Sequence, residues 1–353
     1  MHTTRFSSLL ISFILCLIQC FIFISCSSSS DILFKDGNQK YNAGDFYGAM
    51  VDYYKILALE PNDSRAYFEL GRIESSLKHY KQAVEKFSRA INLDPKYSEA
   101  YLDRGINFLM IENYSYAKKD FEKVINIDPK NEKAFFNLGY LENYFDNDST
   151  AIEEYSKAIE LSPDDPKAYI NRGNIKSNIG DHDGAIDDFT KAITLDSVNG
   201  QSYLNRGNEN SILGNYDKAI KDYNRAIEIN PQYADAFFIR GDTEEKINDD
   251  TDAIKDYSEA IESDSTYKQA YISRGDLYFR LRDYKKAIKD FSFLIKLEPQ
   301  DGEAYYKRGM SYIKLKNSKS GCTDLNKSGK LGYIDSYQAI QIYCKKRTAK
   351  RRK

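Results

Sequence analysis

The stretch from Ser202 to Pro231, SYLNRGNENSILGNYDKAIKDYNRAIEINP, carries a pattern that most of the chain repeats. Closely similar sequence begins at Ala168, ahead of this stretch, and again at Ala236, beyond it. The fixed period of about 34 residues predicts a protein built from stacked copies of one small unit, not around one large core. The glycine of the unit recurs at this spacing without interruption as Gly37, Gly71, Gly105, Gly139, Gly173, Gly207, Gly241, Gly275 and Gly309.

Three more positions keep register with this glycine. A small residue recurs as Ala49, Ala83, Ala117, Ala151, Ala185, Ala219, Ala253 and Ala287, with Gly321 in the ninth unit. The residue four places further on is Tyr53, Phe87, Phe121, Tyr155, Phe189, Tyr223, Tyr257 and Phe291, with Leu325 last. A proline closes six units, as Pro61, Pro95, Pro129, Pro163, Pro231 and Pro299.

These registers resemble the tetratricopeptide repeat family over residues 30–335. The resemblance implies an all-α fold: a right-handed α-solenoid of about nine helix-turn-helix repeats of about 34 residues each. In place of the tryptophan that the family usually has near the start of each first helix, this chain mostly has Tyr or Phe. Residues 336–346 are expected to form a capping helix, because an exposed solenoid end needs a polar cover.

The helices of one repeat follow from its apolar spacing. In repeat six we expect a first helix over about 200–213 and a second over about 217–229. Gly214 and Asn215 should form the turn, since both tolerate left-handed backbone angles. Gly207 and Ala219 leave room where the two helices cross, and Tyr223 fills the space beside them.

Residues 1–26 have the features of an export signal. A basic residue, Arg5, precedes an apolar segment too short for a stable membrane span. The segment ends at Ser25-Cys26, which resembles a bacterial lipoprotein signal whose cysteine receives the lipid. Cys26 is therefore the expected lipidation site, and residues 27–30 would form a serine tether. An ordinary cleaved signal or an uncleaved anchor remains the alternative.

Two cysteines remain beyond this segment, Cys322 and Cys344. If the chain is exported, they are an even pair in an oxidising compartment. Antiparallel packing of the last helices would bring them together, so a disulfide is one expectation and two buried thiols are the other.

The charge is distributed unevenly along the chain. All 53 acidic residues lie in residues 27–344, and seven cations lie in the last nine residues. The basic tail, residues 347–353, is expected to lie outside the fold. An acidic repeat array repels phosphate, so no nucleic-acid partner is expected.

One correlation between repeats goes beyond the resemblance. Where arginine precedes the repeat glycine, aspartate follows sixteen positions later, whereas Leu70 and Leu138 are followed by Lys86 and Glu154. A guanidinium meets a carboxylate with two hydrogen bonds, so this spacing predicts ion pairs that join the two helices. The six pairs are Arg104–Asp120, Arg172–Asp188, Arg206–Asp222, Arg240–Asp256, Arg274–Asp290 and Arg308–Asp324.

No catalytic arrangement is visible, and we expect neither enzymatic activity, nor a cofactor, nor a metal site. His79 and His182 fall in repeat turns, where we expect exposed side chains. The resemblance implies an inner groove lined by the first helices, in which side-chain amides contact the backbone of an extended peptide. The groove residues would be Asn137, Asn171, Asn174, Asn178, Asn205 and Asn208.

Relatives that grip carboxyl-terminal peptides use asparagines at the registers of Asn174 and Asn205. The lysines of that clamp are replaced here by Ile170 and Asp235, so a less specific peptide groove is expected.

These observations predict a non-catalytic scaffold that binds proteins or extended peptides and is lipid-anchored in a bacterial cell envelope. A secreted form, or one anchored by an uncleaved N-terminal helix, is the alternative location. By analogy, barrel insertion and pilus assembly are candidate settings. An accessory subunit that recruits an enzyme and a cytosolic co-chaperone-like adaptor remain alternative functions.

Overall fold

The computed structural model describes residues 29–344 and is helical almost throughout, with no strand in this range. The first helix, α1, spans residues 29–42. The helices that follow are α2 (Phe46–Leu59), α3 (Ser64–Ser76), α4 (Tyr80–Leu93), α5 (Ser98–Met110), α6 (Tyr114–Ile127), α7 (Glu132–Tyr144), α8 (Asp148–Leu161), α9 (Pro166–Asn178), α10 (His182–Leu195), α11 (Gly200–Ile212), α12 (Tyr216–Ile229), α13 (Ala234–Lys246), α14 (Asp250–Ser263), α15 (Lys268–Arg280), α16 (Tyr284–Leu297), α17 (Gly302–Lys314), α18 (Ser318–Lys330) and α19 (Asp335–Ala339).

Within residues 29–344, helices α1 to α18 form nine consecutive pairs, one for each repeat of the sequence, and α19 follows the last pair. Two compact units divide the chain after Ala168, close to the start of α9. The first unit holds the repeats built from α1 to α8. The second holds the rest of α9 and the helices that follow it. The expectation of an all-α stack of helix-turn-helix repeats is confirmed.

A short turn joins the first helix of each repeat to the second. In repeat six Gly214 has a φ of 77°, the left-handed conformation that glycine adopts at low cost. Asn215 has a φ of −83° and is the N-cap residue of α12, so of the two expected turn residues only Gly214 is left-handed. A single left-handed residue completes the reversal because the next residue already begins the following helix.

The glycine of each repeat lies against the side chain that follows it by sixteen positions, an aromatic ring in all but the last repeat. A Cβ added to Gly207 would lie 2.5 Å from Cε1 of Tyr223, and Tyr223 is completely buried. The alanine of the second helix, Ala219, is also completely buried. The two helices of a repeat therefore approach closely enough that a side chain on the glycine would displace the ring.

We predict that Gly207→Ala destabilises the chain by about 1–3 kcal/mol, because the added methyl group overpacks the crossing against Tyr223. Gly200→Ala is the matched control in the same helix, since its Cβ would meet nothing nearer than 3.5 Å. Denaturant unfolding of both variants measures the difference. Equal stability of the two variants would contradict the proposed role of the crossing.

The two ends of the described chain differ in detail from expectation. Ser29 and Ser30 belong to α1, so the expected tether over residues 27–30 is too long. The Ser30 hydroxyl is buried and donates to Glu60 Oε1 at 2.5 Å, which explains its place in the fold. The expected signal, Cys26 and the basic tail lie outside the described residues.

The C-terminal cap begins one residue earlier than expected, at Asp335. It continues from α19 as a π-helix over Ile340–Cys344. Cys322 on α18 and Cys344 form a disulfide, with their Cα atoms 5.7 Å apart. The bond joins the end of the cap covalently to the last repeat.

Candidate functional site

All six Arg–Asp pairs are formed, and each joins the two helices of its own repeat. Arg206 Nε donates to Asp222 Oδ2 at 2.9 Å, and Arg206 Nη2 donates to Asp222 Oδ1 at 2.7 Å. In all six pairs these two bonds measure between 2.5 and 3.0 Å. The parallel bonds fix the angle between guanidinium and carboxylate, and with it the register of the two helices.

The same guanidinium also reaches the second helix of the preceding repeat, which sequence reasoning missed. Arg206 Nη1 donates to Thr190 Oγ1 at 3.1 Å, sixteen positions away in the other direction. A signal was present, since serine, threonine or asparagine stands sixteen positions before each of these arginines. The equivalent bonds are Arg104–Ser88, Arg240–Asn224, Arg274–Ser258 and Arg308–Ser292.

The aromatic residue that replaces the family's tryptophan lies against this arginine. The guanidinium carbon of Arg206 is 5.8 Å from the ring centre of Tyr203, within the range of a cation–π contact. The five other arginines lie 5.5–5.8 Å from the ring three positions earlier. These rings are therefore part of the helix packing.

The repeats without this arginine have other side chains at the positions of the Arg–Asp pair. In repeat one, Asp36 stands in the arginine's place, and buried Asp52 pairs with Lys40 and Lys55 instead. In repeat two, Lys86 occupies the aspartate position and donates to the Tyr54 hydroxyl at 3.3 Å. Repeat four has Leu138 and no such cation of its own at that position.

One repeat buries two carboxyl groups beside one arginine. Glu244 is 8% exposed, and its Oε2 has no hydrogen-bond partner among residues 29–344. Arg240 Nε lies 3.9 Å from Glu244 but only 2.5 Å from Asp256, which takes the guanidinium. Burial, and then the charge of Asp256, raise the pKa of Glu244 from its ordinary value of 4.5 to about 8.

We predict that Glu244→Gln stabilises the chain relative to wild type as the pH rises. Between pH 4.5 and 8 the folded chain holds a proton that the unfolded chain has released. Stability therefore falls with rising pH in this window, and glutamine removes that dependence. The expected gain at pH 8 is on the order of 1–3 kcal/mol.

Unfolding curves at several pH values test this, with exposed Glu262→Gln on α14 as the matched control. A constant difference between Glu244→Gln and wild type across the window would show that Glu244 is ionised in the fold throughout.

His182 is more buried than expected for a turn residue. Its Nδ1 lies 2.7 Å from Glu209 Oε2, and its side chain is 28% exposed. Glu209 is 3% exposed, and its other oxygen accepts from the Ser177 hydroxyl at 2.7 Å. His182 is held by this carboxylate because α10 packs on α11. His79 is half-exposed and lies 2.9 Å from Glu74, closer to expectation.

Two of the six expected groove asparagines meet directly. Asn205 Nδ2 donates to Asn174 Oδ1 at 2.9 Å, and Gln201 Nε2 donates to Asn205 Oδ1 at 2.6 Å. The Tyr233 hydroxyl donates to Gln201 Oε1, so this series of hydrogen bonds extends into the next repeat. We call Asn174, Asn205, Gln201 and Tyr233 the amide row. It runs along the exposed side of α9 and α11 to the start of α13.

The other four asparagines have different surroundings. Asn208 accepts from the buried Tyr223 hydroxyl at 3.1 Å, so its oxygen serves the repeat core. Asn137, in the first unit, donates to the Lys133 carbonyl of its own helix at 2.7 Å. Asn178 is exposed at the end of α9, and Asn171 is half-buried on the same helix.

The amide row has no lysine at the two clamp registers. Ile170 and Asp235 stand there, and Asp235 accepts from the Tyr267 hydroxyl at 2.7 Å. A carboxylate at this position repels the carboxyl terminus of a peptide. The surface therefore suits the backbone of an extended chain better than its charged end.

Neither a metal site nor a membrane span stands out in the described part of the chain. Residues 29–344 contain no group of three His, Cys, Asp or Glu side chains that could hold a metal ion. No helix in the same range has both the length and the apolar character needed to cross a membrane.

Comparison with known proteins supports an all-α protein built from helical repeats. Tetratricopeptide repeat models match residues 64–97, 166–197, 200–233 and 272–319, and a TPR repeat model matches residues 147–180. No curated protein matches the chain in sequence. The matched segments are similar to tetratricopeptide repeats, and the helix pairs between them continue the same repeating pattern.

Solved structures of other proteins share the fold. The C-terminal part of a TPR repeat-containing protein from Cytophaga hutchinsonii is 18% identical, with a TM-score of 0.58 over 67% of this chain and 97% of that one. A structure of Pseudomonas aeruginosa pilF is 17% identical, with a TM-score of 0.54 over 59% of this chain and 94% of that one. At these identities the likeness extends to the fold alone.

Proposed function

We propose that this chain is a non-catalytic scaffold that binds an extended segment of a partner protein along the amide row. The observation that carries the proposal is the exposed bond between Asn205 and Asn174, which links the first helices of two repeats. A side-chain amide has two N–H donors and an oxygen with two lone pairs. The Asn205 amide therefore keeps one N–H for a peptide carbonyl after it has bonded Asn174.

The tyrosine at the end of the row supports the same use. Tyr233 offers an aromatic surface with a polar end, and such side chains are enriched in interface cores. An extended peptide has an unpaired donor and acceptor at most residues. Side-chain amides both donate and accept, so they can pair with these backbone groups without requiring one peptide sequence.

Selection of random displayed peptides against the full chain tests this function. Peptides that bind are expected to lose at least about tenfold in affinity to Asn174→Ala and Asn205→Ala, the size of effect that one lost interaction of about 1.4 kcal/mol produces. Asn326→Ala is the matched control, since this exposed asparagine lies on the second helix of the last repeat. Binding that all three variants retain equally would exclude the amide row.

The cellular setting is also part of the proposal. We place the chain in a bacterial cell envelope, held to the membrane by lipid on Cys26, which lies outside the described residues. The Cys322–Cys344 disulfide supports this setting, because such bonds persist mainly in oxidising compartments. An adaptor inside the cell would keep its thiols reduced.

Metabolic labelling with a fatty acid tests the anchor. The wild-type chain is expected to carry the label and to pellet with membranes, whereas Cys26→Ala is expected to lose the label. Cys20→Ala is the matched control, because Cys20 lies in the apolar part of the expected signal. Label that persists in Cys26→Ala would contradict lipidation at this cysteine.

A further inference from the structure

The cleft in front of repeat four differs in its lining from the matching cleft in front of repeat six. In repeat six the cleft has a volume of about 370 Å³, and Thr190, Arg206 and Asp222 line it. In repeat four the cleft has a volume of about 440 Å³, and Leu138 stands in the arginine's place. Repeat four therefore offers no guanidinium of its own at this register.

The groups that hold a guanidinium elsewhere are nevertheless present in repeat four. Glu154 stands sixteen positions after Leu138, where the arginine-containing repeats have aspartate. Glu122 stands sixteen positions before Leu138, where those repeats have a hydroxyl or an amide. Phe135, three positions before Leu138, is the ring that elsewhere lies beside the arginine. All of these side chains line the cleft.

One carboxylate oxygen in this cleft is left without a partner. Glu154 Oε2 is buried and has no hydrogen bond from any residue in the range 29–344. Glu154 Oε1 lies 3.3 Å from the ammonium group of Lys157, whose side chain is 39% exposed. Burying an acceptor without a hydrogen bond costs free energy, so this oxygen favours a donor from outside.

The other charges around the cleft do not supply that donor. Glu142 is buried and accepts from Lys118 at 2.6 Å and from Asn147 at 2.9 Å. Lys157 also lies 3.0 Å from exposed Glu153 and 5.6 Å from the ring centre of Phe135. Lys157 is therefore held only weakly at the cleft, because separating an exposed ion pair of this kind costs little free energy.

Repeat two shows that a missing arginine does not by itself create such a site. There Leu70 replaces the arginine, but the residue sixteen positions later is Lys86, not a carboxylate. Lys86 donates to the hydroxyl of Tyr54, the residue sixteen positions before Leu70. In repeat two a hydrogen bond within the chain therefore replaces the Arg–Asp pair, whereas repeat four keeps a carboxylate but has no arginine to pair with it.

We propose that the cleft lined by Glu122, Phe135, Leu138 and Glu154 binds an arginine side chain of a partner protein. A planar guanidinium can donate to Glu154 and Glu122 at once while it lies against Phe135, as the chain's own arginines do with the equivalent residues in five repeats. A lysine is a single point charge and repeats what Lys157 already provides. This site shares no residue with the amide row, so either proposal can fail alone.

Titration of the full chain with the blocked peptide acetyl-Gly-Arg-Gly-amide, followed by NMR, tests the site. The arginine peptide is expected to bind more tightly than its lysine and citrulline counterparts. Glu154→Gln is expected to weaken binding at least about tenfold. Glu153→Gln is the matched control, because this exposed neighbour contacts the same lysine and should leave binding unchanged.

A second pair of variants places an arginine at Leu138, inside the cleft, and at Leu70, the equivalent position of repeat two. Leu138→Arg places the chain's own guanidinium beside Glu154 and is expected to abolish binding without lowering the melting temperature. Leu70→Arg in repeat two is expected to lower the melting temperature, because it meets Lys86, and to leave binding intact. The proposal is overturned if the three peptides bind equally or if Glu154→Gln and Glu153→Gln behave alike. Both of these comparisons test the proposal even if Leu138→Arg does not fold.

Discussion

The structure depends on the crossing of the two helices within each repeat, where in six of the nine repeats of residues 29–344 two adjacent residues meet two others sixteen positions later. Glycine lets an aromatic ring lie directly on the backbone, as Gly207 does for Tyr223. The arginine just before that glycine bonds the aspartate just before that ring. One apolar contact and one charged contact therefore fix the same register side by side. The third bond of the guanidinium, to the preceding repeat, carries that register from one hairpin to the next.

The charged contact defines geometry more than it adds net stability. Burial raises the pKa of Asp120 and of Asp290 although each faces an arginine, so pairing does not fully offset the loss of solvation. Such buried pairs are often replaceable by apolar residues, whereas removal of one partner alone is costly. Leu70 and Leu138 stand at the arginine position, which agrees with this view. Glu154 and Glu244 each have a buried carboxyl oxygen without a hydrogen bond from residues 29–344, an arrangement that costs free energy.

Much of the fold could be predicted from the sequence because the repeat fixes the helix pairing. Nine glycines in one register define the hairpins, and the correlation of Arg206 with Asp222 identifies a contact without coordinates. Contacts between repeats were harder to predict, since they depend on which helix faces pack. His182 illustrates this difficulty, because its carboxylate partner belongs to the first helix of the next repeat.

The candidate site was predicted only in part for a similar reason. Sequence register brought Asn174 and Asn205 to one surface, and their bond is present. It could not show that the oxygen of Asn208 accepts from the buried Tyr223 hydroxyl, because that depends on the rotamer within the repeat. The cleft of repeat four required coordinates as well, because an unpartnered oxygen is a property of packing and not of residue type.

We propose two surfaces for a partner: the exposed side of the first helices α9 and α11, and the cleft lined by α6, α7 and α8. The surface on α9 and α11 depends on a hairpin held in fixed register by the contacts of Arg206. Hydrogen exchange of Arg206→Leu measures that dependence most directly. We expect faster exchange in α10, α11 and α12, the three helices that Arg206 joins, and unchanged exchange in α3 to α6. Unchanged exchange in α10, or an equal increase in every helix, would contradict it.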